Sequence, residues 1–397
     1  MSSPPTLLEP TLGPAEVLVV VGTRPEAIKL FPLIRALLAT SNIRPVVIST
    51  GQHASMVENI LRVAGCPIDF DLGVGRPGLT LNELVSAVMA GMERILHHRY
   101  GPPPPTTRER PDAYPLACIV HGDTSSAAAG ALAAFHLRIP VVHVEAGLRT
   151  GSTLSPFPEE LNRQLIGRIA SFHLAPTFRN VENLVREGVG IGRIFVTGNT
   201  GIDALLWAAD QAVPYGRPEL ADLEDDDRTR VVTVTAHRRE NWGAGIAGIA
   251  AGVSRLAAAH PTVRFVLPVH PNRLVADVVR EGLADLPNVT LTEPMEYRAF
   301  ARLLKRSYLV ITDSGGIQEE APAFDVPVLV CRTTTERWAG LEAGTLKLVG
   351  TDPDVIVAEA GRLLDDPAAH ALIAARTNPY GDGHASEKIV AAFENIG

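Results

Sequence analysis

The stretch "EVLVVVGTRPEAIKLFPL" (residues 16–33) decides the fold. Five apolar residues in a row, Val17–Val21, suit a strand buried on both faces, which is the habit of parallel sheets covered by helices. A turn follows that carries Arg24, Glu26 and Lys29, and then helical spacing begins. Two cations and a carboxylate at the point where a parallel strand gives way to a helix suit either a solvated loop or an anion site.

The same alternation runs the length of the chain. Apolar runs "EVLVVV", "PVVIST", "ACIV", "VVHV", "SFHLAP" and "IFVTG" are followed by "VVTVTA", "FVLPV", "VTLTEP", "YLVITD", "VPVLVC" and "LKLVG", with Ala/Leu-rich helical stretches in between. Twelve runs are too many for one open sheet of ordinary size. They divide six and six, and 397 residues suit two domains of roughly 150–200 residues each. The expectation is two Rossmann-like halves with a hinge near 198–203 and the acidic stretch "VPYGRPELADLEDDDRTR" (213–230) as connecting surface. "HHRYGPPPPTTRERPDAY" (97–114), with four successive prolines, is expected to be an inserted surface loop.

Composition narrows the function classes. A net charge of −8 gives no basic field for nucleic acid. Cys66, Cys118 and Cys331 have no CxxC spacing, which suits reduced thiols in a cytoplasmic protein. No apolar run is long enough to span a membrane. The start, residues 1–14, lacks the basic and apolar regions of a signal peptide and is expected to be a disordered tail. His97-His98 and "EDDD" (224–227) are expected to be solvated surface, and no metal is expected.

Ligands of open parallel sheets bind beyond the carboxyl ends of the strands. There the first half places "GTRPEAIK", "HGDTSS" (121–126) and "VEAGLRTG" (144–151). The second places "TAHRREN" (235–241), "VHPN" (269–272) and "TDSGGIQEE" (312–320). Asp123, followed by Thr124 and Ser125, fits an N-cap as well as a reactive group. Glu159 and Glu160 fit the first turn of a helix, where carboxylates favour the dipole, and Glu159 fits equally a side chain turned toward Glu145. Ser314-Gly315-Gly316 leads from a strand straight into a helix and leaves backbone N–H groups open to a diphosphate, with Glu320 a turn later within reach of a ribose diol. The pattern is neither GxGxxG nor a Walker motif.

Taken in order, "GTRPEAIK", "HGDT", "VEAGLRTG", "SPFPEELNR", "TGNTGIDAL", "AHRREN", "TDSGGIQEEAP" and "AGTLKLVGTD" closely resemble the bacterial non-hydrolysing UDP-N-acetylglucosamine 2-epimerases, from about residue 16 to "NPYGDGHAS". The resemblance implies an α/β, GT-B-like pair of Rossmann-like domains whose parallel sheets face across a cleft. The expected boundaries are 15–199, 200–379 and a helix at 380–397 that returns to the first domain. It also implies a homodimer, a UDP-sugar substrate and no cofactor. The family inverts C2 of UDP-GlcNAc to give UDP-ManNAc, through loss of UDP to a 2-acetamidoglucal and its re-addition.

Carried over motif by motif, Asp123, Glu145 and Glu159 resemble the family's catalytic carboxylates, and His237 the histidine that helps UDP depart. Arg24, with Lys29 in support, resembles the cation beside the diphosphate. Ser314, Gly315 and Gly316 would hold phosphates, Glu320 the ribose hydroxyls, and the backbone near Phe300 the uracil. Gln52, His53, Arg76 and His270 resemble parts of the family's allosteric UDP-GlcNAc pocket. There the chain departs from the pattern: Ala54 and Ser55 replace larger polar residues, "HPNRLVADVVRE" is shortened, and "TERWAG" brings Trp338 and Ala339. A hydrolysing epimerase, which releases ManNAc and UDP, and a GT-B glycosyltransferase are the alternatives; "GTRPEAIK" argues against the first.

Overall fold

A computed structural model describes residues 13–106, 111 and 113–394. All of the expected tail except Gly13 and Pro14, and residues 107–110 and 112 of the proline-rich stretch, lie outside the described residues. Two compact units emerge. One runs to Thr200 and includes the chain from Ser386 onward, and the other is Gly201–Ala385.

The first unit holds β1 (Ala15–Val21), β2 (Ile43–Ser49), β3 (Phe70–Asp71), β4 (Ala117–His121), β5 (Val141–Val144), β6 (Phe172–Ala175) and β7 (Ile194–Val196). They form one sheet in the order β3-β2-β1-β4-β5-β6-β7, with every pair parallel. The second holds β8 (Arg230–Thr235), β9 (Val263–Pro268), β10 (Val289–Thr292), β11 (Ser307–Thr312), β12 (Val328–Val330) and β13 (Leu346–Leu348), in the order β10-β9-β8-β11-β12-β13, again all parallel. Each sheet starts in its middle, grows to one side, then crosses back and grows to the other. The point of reversal lies between β1 and β4 in one unit and between β8 and β11 in the other. It leaves a crevice at the carboxyl ends of those strands, because their two helices depart to opposite faces.

Both faces of each sheet are buried, as the unbroken apolar runs require. In β11, Leu309 and Ile311 join one core with Val232, Val234, Phe265 and Val253, while Val310 joins the opposite core with Val328, Leu205 and Leu304. A fully buried aliphatic side chain of this kind contributes about 1.5–3 kcal/mol relative to exposure. The three thiols sit in this apolar interior, where burial pushes Cys66 up to about 11 and Cys118 to about 12 and leaves them poor nucleophiles.

Three expectations need correction. Strand β3 escapes the sequence because two residues at a sheet edge carry no apolar run. The last turn of the Leu81–Tyr100 helix absorbs residues 97–100, so the surface loop starts at Gly101; His97 and His98 suit that turn because cations favour a helix carboxyl end. The acidic stretch 213–230 is not mere connecting surface. Its Tyr215, Leu220 and Leu223 are buried against Val231, Val266 and Leu303, and Glu224 accepts from the Tyr215 backbone and pairs with Arg302. Its acids face outward from an apolar strip that belongs to the second unit.

Candidate active site

At the reversal point of the first sheet, two turns stand side by side. The turn after β1 opens the Arg24–Leu38 helix through a capping box. Glu26 is only 2% exposed. It accepts from Gly22 N (3.0 Å), Thr23 N (2.6 Å), Thr23 Oγ1 (2.9 Å) and, from the turn after β4, Thr124 Oγ1 (2.6 Å). Burial raises its pKa against these donors. Thus Glu26, the carboxylate of the opening charged turn, faces inward and ties the two turns together. Arg24 stays exposed, and Lys29 reaches across to ion-pair with Glu145.

The turn after β4 presents Asp123. Capping of the Ser125–His136 helix falls to Thr124, whose hydroxyl accepts from Ala127 N at 3.0 Å. Asp123 is thereby spared for other contacts. Its Oδ2 lies 2.6 Å from Arg163 Nη2, and its carbonyl accepts from Asn162 Nδ2 at 2.8 Å. Burial pushes its pKa up, Arg163 and Lys29 pull it down, and Glu145 pushes it up again. Glu145 itself, just past β5, has φ +63, a left-handed conformation that a glutamate adopts only under constraint.

Three buried histidines underlie these acids. His121 Nε2 lies 3.6 Å from Glu145 Oε2. His143 Nε2 stands 2.7 Å from the Gly122 carbonyl; since a carbonyl only accepts, that nitrogen carries the proton. His173 pairs with His143 across β5 and β6, and neither of its ring nitrogens has a hydrogen-bond partner among the described residues. Burial pulls His121 and His173 down to about 4 and His143 to about 3, so all three are neutral at neutral pH.

The Glu159–Ile169 helix contributes the third acid. Sequence puts Glu159 and Glu160 together in the first helical turn and favours Glu159 for the site; the structure gives the two different surroundings. Glu160 is fully buried, accepting from Thr150 N, Gln164 Nε2 and Arg163 Nη1, each at 3.0 Å. Glu159 keeps a buried Oε2 with no hydrogen-bond partner among the described residues.

In the second unit, Asp313, fully buried at the end of β11, organises the reversal point. It accepts from His237 N (3.0 and 3.1 Å), Arg238 N (2.9 Å) and Asn241 Nδ2 (3.0 Å), and its Oδ1 lies 3.5 Å from His237 Nδ1. Burial lowers the His237 pKa, and Asp313 opposes that shift. The His237 ring stacks on His270, 5.8 Å between centroids and 11° from parallel. Beside them Gly315 opens the Gly315–Glu320 helix. A Cβ there would stand 2.9 Å from Arg238 Nη2 and 3.3 Å from Arg337 Cζ, so two guanidinium groups flank bare backbone. The Glu320 carboxylate folds back to 3.7 Å from where a Gly316 Cβ would lie. Phe300 is half-buried, packed between two cores.

Gln52 and His53 lie in the turn after β2. Gln52 Oε1 accepts from Ser126 Oγ at 2.8 Å, and His53 Nδ1 faces Arg24 N at 3.5 Å. The loop carrying Arg76 rests on this turn, since a Cβ at Gly75 would fall 2.0 Å from the Gly51 carbonyl oxygen. Arg76 is exposed and pairs with Glu83 at 2.7 Å. His270, by contrast, belongs to the second unit. Among the described residues no helix is long and apolar enough to cross a membrane, and no group of three His, Cys, Asp or Glu could hold a metal ion.

A sequence model of the UDP-N-acetylglucosamine 2-epimerase family matches residues 35–394. The chain belongs to that family. It is 44% identical over 385 residues to the UDP-N-acetylglucosamine 2-epimerase of Escherichia coli K12, covering 96% of this chain and 98% of that protein. To the Yersinia pestis protein of the same name it is 43% identical, with the same coverage. A crystal structure of the Neisseria meningitidis UDP-GlcNAc 2-epimerase bound to UDP-GlcNAc superposes with a TM-score of 0.79 at 38% identity, covering 96% of this chain and 100% of that one. The α/β class with two parallel sheets, expected from the apolar runs, is the class of these GT-B-like epimerases.

Sequence reasoning gave no role to Asp313, Arg163 or the buried His121, His143 and His173, and took Glu26 only as part of a charged turn. Two left a signal: Thr23-x-x-Glu26 has the spacing of a capping box, and Asp313 follows a strand directly. Arg163 left none, for its importance rests on what it touches.

Proposed function

We propose that the chain inverts C2 of UDP-GlcNAc, or of a close UDP-hexosamine, reversibly giving the UDP-ManNAc configuration. In an N-acetyl sugar the C2 hydrogen has no neighbouring carbonyl to take up charge, so direct deprotonation is unfavourable. Breaking the anomeric C1–O bond first sends its electron pair out with UDP. Loss of the C2 proton to a carboxylate then forms the C1=C2 bond of a 2-acetamidoglucal. Protonation of C2 on the opposite face, with return of UDP to C1, gives the epimer. Atoms balance without any cofactor.

The observation that carries this reading is the set of acids in the first unit. Asp123 is held by Arg163, Glu145 is held by Lys29 on constrained backbone, and Glu159 has an oxygen without a hydrogen-bond partner among the described residues. Nucleotide binding alone calls for cations and open backbone, not three carboxylates. Proton removal and return at one carbon require such groups. Arg24, His237, Ser314, Gly315 and Gly316 would stabilise the departing diphosphate, His237 as a neutral donor. Glu320 would take the ribose hydroxyls, and the backbone at Phe300 the uracil. UDP-GlcNAc in the Neisseria relative supports the substrate class. Gln52, His53, Arg76 and His270 are proposed as a second UDP-sugar site, and a cytoplasmic homodimer as the working form.

Turnover of UDP-GlcNAc in deuterated water tests the reaction. Product and recovered substrate should both carry deuterium at C2 by NMR. Unlabelled product would sink the proton-exchange mechanism, and accumulation of free ManNAc with UDP would assign the chain to hydrolysis instead.

A further inference from the structure

Arg163 is 8% exposed, and its guanidinium joins two carboxylates that have different fates. Nη1 lies 3.0 Å from Glu160 Oε2, and Nη2 lies 2.6 Å from Asp123 Oδ2. Glu160 is anchored from three sides, by Thr150 N, Gln164 Nε2 and Arg163, and does not reach solvent. The Arg163 end of the bridge is therefore fixed, and the Asp123 end is the one that must conform. One residue earlier on the same helix, Asn162 Nδ2 holds the Asp123 carbonyl at 2.8 Å. Main chain and side chain of Asp123 are thus tethered to one helical turn, and Glu159 stands at the start of that helix.

Charge compensation alone gives no reason for the second half of this bridge, because Glu160 already supplies it. A buried guanidinium needs acceptors for its remaining N–H groups as well, and Asp123 supplies one where a neutral acceptor would serve equally. The fork geometry of arginine lets it engage a second carboxylate without losing the first. The ion pair occupies Asp123 Oδ2 and leaves Oδ1 for a substrate proton. We propose that Arg163 is the positioning residue that fixes where the Asp123 carboxylate points, with Glu160 as its fixed counterpart. The bridge also ties Asp123 to the helix that Glu159 opens, so the relation between these two acids is set by one element. This inference rests on the epimerase reading above and adds a residue that touches no reacting atom.

The test compares full-length wild type with Arg163→Met, Arg163→Lys and Glu160→Gln, following kcat, KM, the pH–rate profile and UDP affinity. Misplacing a catalytic group by about 1 Å costs on the order of 100-fold in rate. Arg163→Met should lose roughly that much kcat with little change in KM or UDP affinity. The charged groups acting on Asp123 are Arg163, Lys29 and Glu145, and of these only the nearest cation is removed. The limb of the pH–rate profile set by Asp123 should accordingly move to higher pH. Arg163→Lys keeps the charge but lacks the fork, so the limb should return toward its wild-type position while kcat stays depressed. Should the methionine variant not fold, the lysine and glutamine variants carry the comparison. A wild-type kcat and an unmoved limb in the folded variants would overturn the proposal, as would a loss of activity that follows thermal stability alone. A 13C titration of Asp123 without substrate, assigned through Asp123→Asn, must show the same upward displacement in Arg163→Met. That readout decides the role of Arg163 even if wild type exchanges no proton at C2, an outcome that would refute the epimerase reading separately.

Discussion

At the scale of single residues, the proposed reactive groups were readable as chemical types, but their states were not. Asp123, Glu145 and Glu159 are acids at strand ends and a helix start, which the sequence declares. That one is bridged by an arginine, one sits on left-handed backbone and paired with a lysine, and one keeps an oxygen without a hydrogen-bond partner among the described residues depends on the fold, the two partners lying 40 and 116 positions away. The histidines beneath them yield a testable consequence. An unfolded histidine titrates near 6.5, whereas His173, buried without a hydrogen bond among the described residues, is pulled down to about 4. Between those values the unfolded chain binds the extra proton. The contribution is therefore whole above about pH 6.5 and is lost as pH falls toward 4, by about 1.4 kcal/mol per pH unit for each proton difference. Replacing His173 by Leu removes the titrating group without breaking a hydrogen bond. Urea unfolding from pH 7 to 4.5 should show a shallower loss of stability in His173→Leu than in wild type. Parallel curves would show that His173 does not set the acid sensitivity.

At the scale of elements, the strands were legible because burial on both faces forces unbroken apolar runs, and every run of four or more residues became a strand or part of one. What the runs could not show is which turns become neighbours. That follows from the reversal of strand order, which brings the turn after β1 against the turn after β4. Their contact is close: a Cβ at Gly22 would fall 2.4 Å from Ser126 Cβ and 2.5 Å from its Oγ. The Oγ can rotate away, but the Cβ is fixed to the backbone and cannot swing aside. Gly22→Ala should therefore destabilise the chain by about 1–3 kcal/mol, and Ser126→Gly in the same chain should recover part of that loss. Additive losses in the double variant, measured by denaturant midpoints, would refute the steric account. The acidic stretch 213–230 teaches the complementary lesson. Its charges advertise solvent, yet three spaced apolar side chains dock it onto the second sheet.

At the scale of the whole molecule, the proposed reaction would divide its labour between the two units. Asp123, Glu145 and Glu159 belong to the first, and the open backbone at Gly315, with Arg238 and Arg337 beside it, belongs to the second. Variants in each unit should therefore fail differently. Asp123→Asn should reduce kcat by roughly 100- to 10,000-fold with UDP affinity retained. His237→Asn should weaken UDP binding by roughly tenfold, the equivalent of about 1.4 kcal/mol. Calorimetric titration of UDP alongside the epimerisation assay separates the two. Equal loss of UDP affinity in both variants would contradict the division.

Sequence by itself determined the fold class, the number of sheets and the identities of the acids. These depend on local patterns: apolar runs, turn residues and ordered motifs need no knowledge of distant contacts. Only tertiary structure decided that Glu26 is an internal strut, that Lys29 pairs with Glu145 and that Arg163 spans Asp123 and Glu160. Partners of a buried charge come from wherever the chain reversal delivers them, and the energy of an ion depends on those partners more than on its own place in the chain.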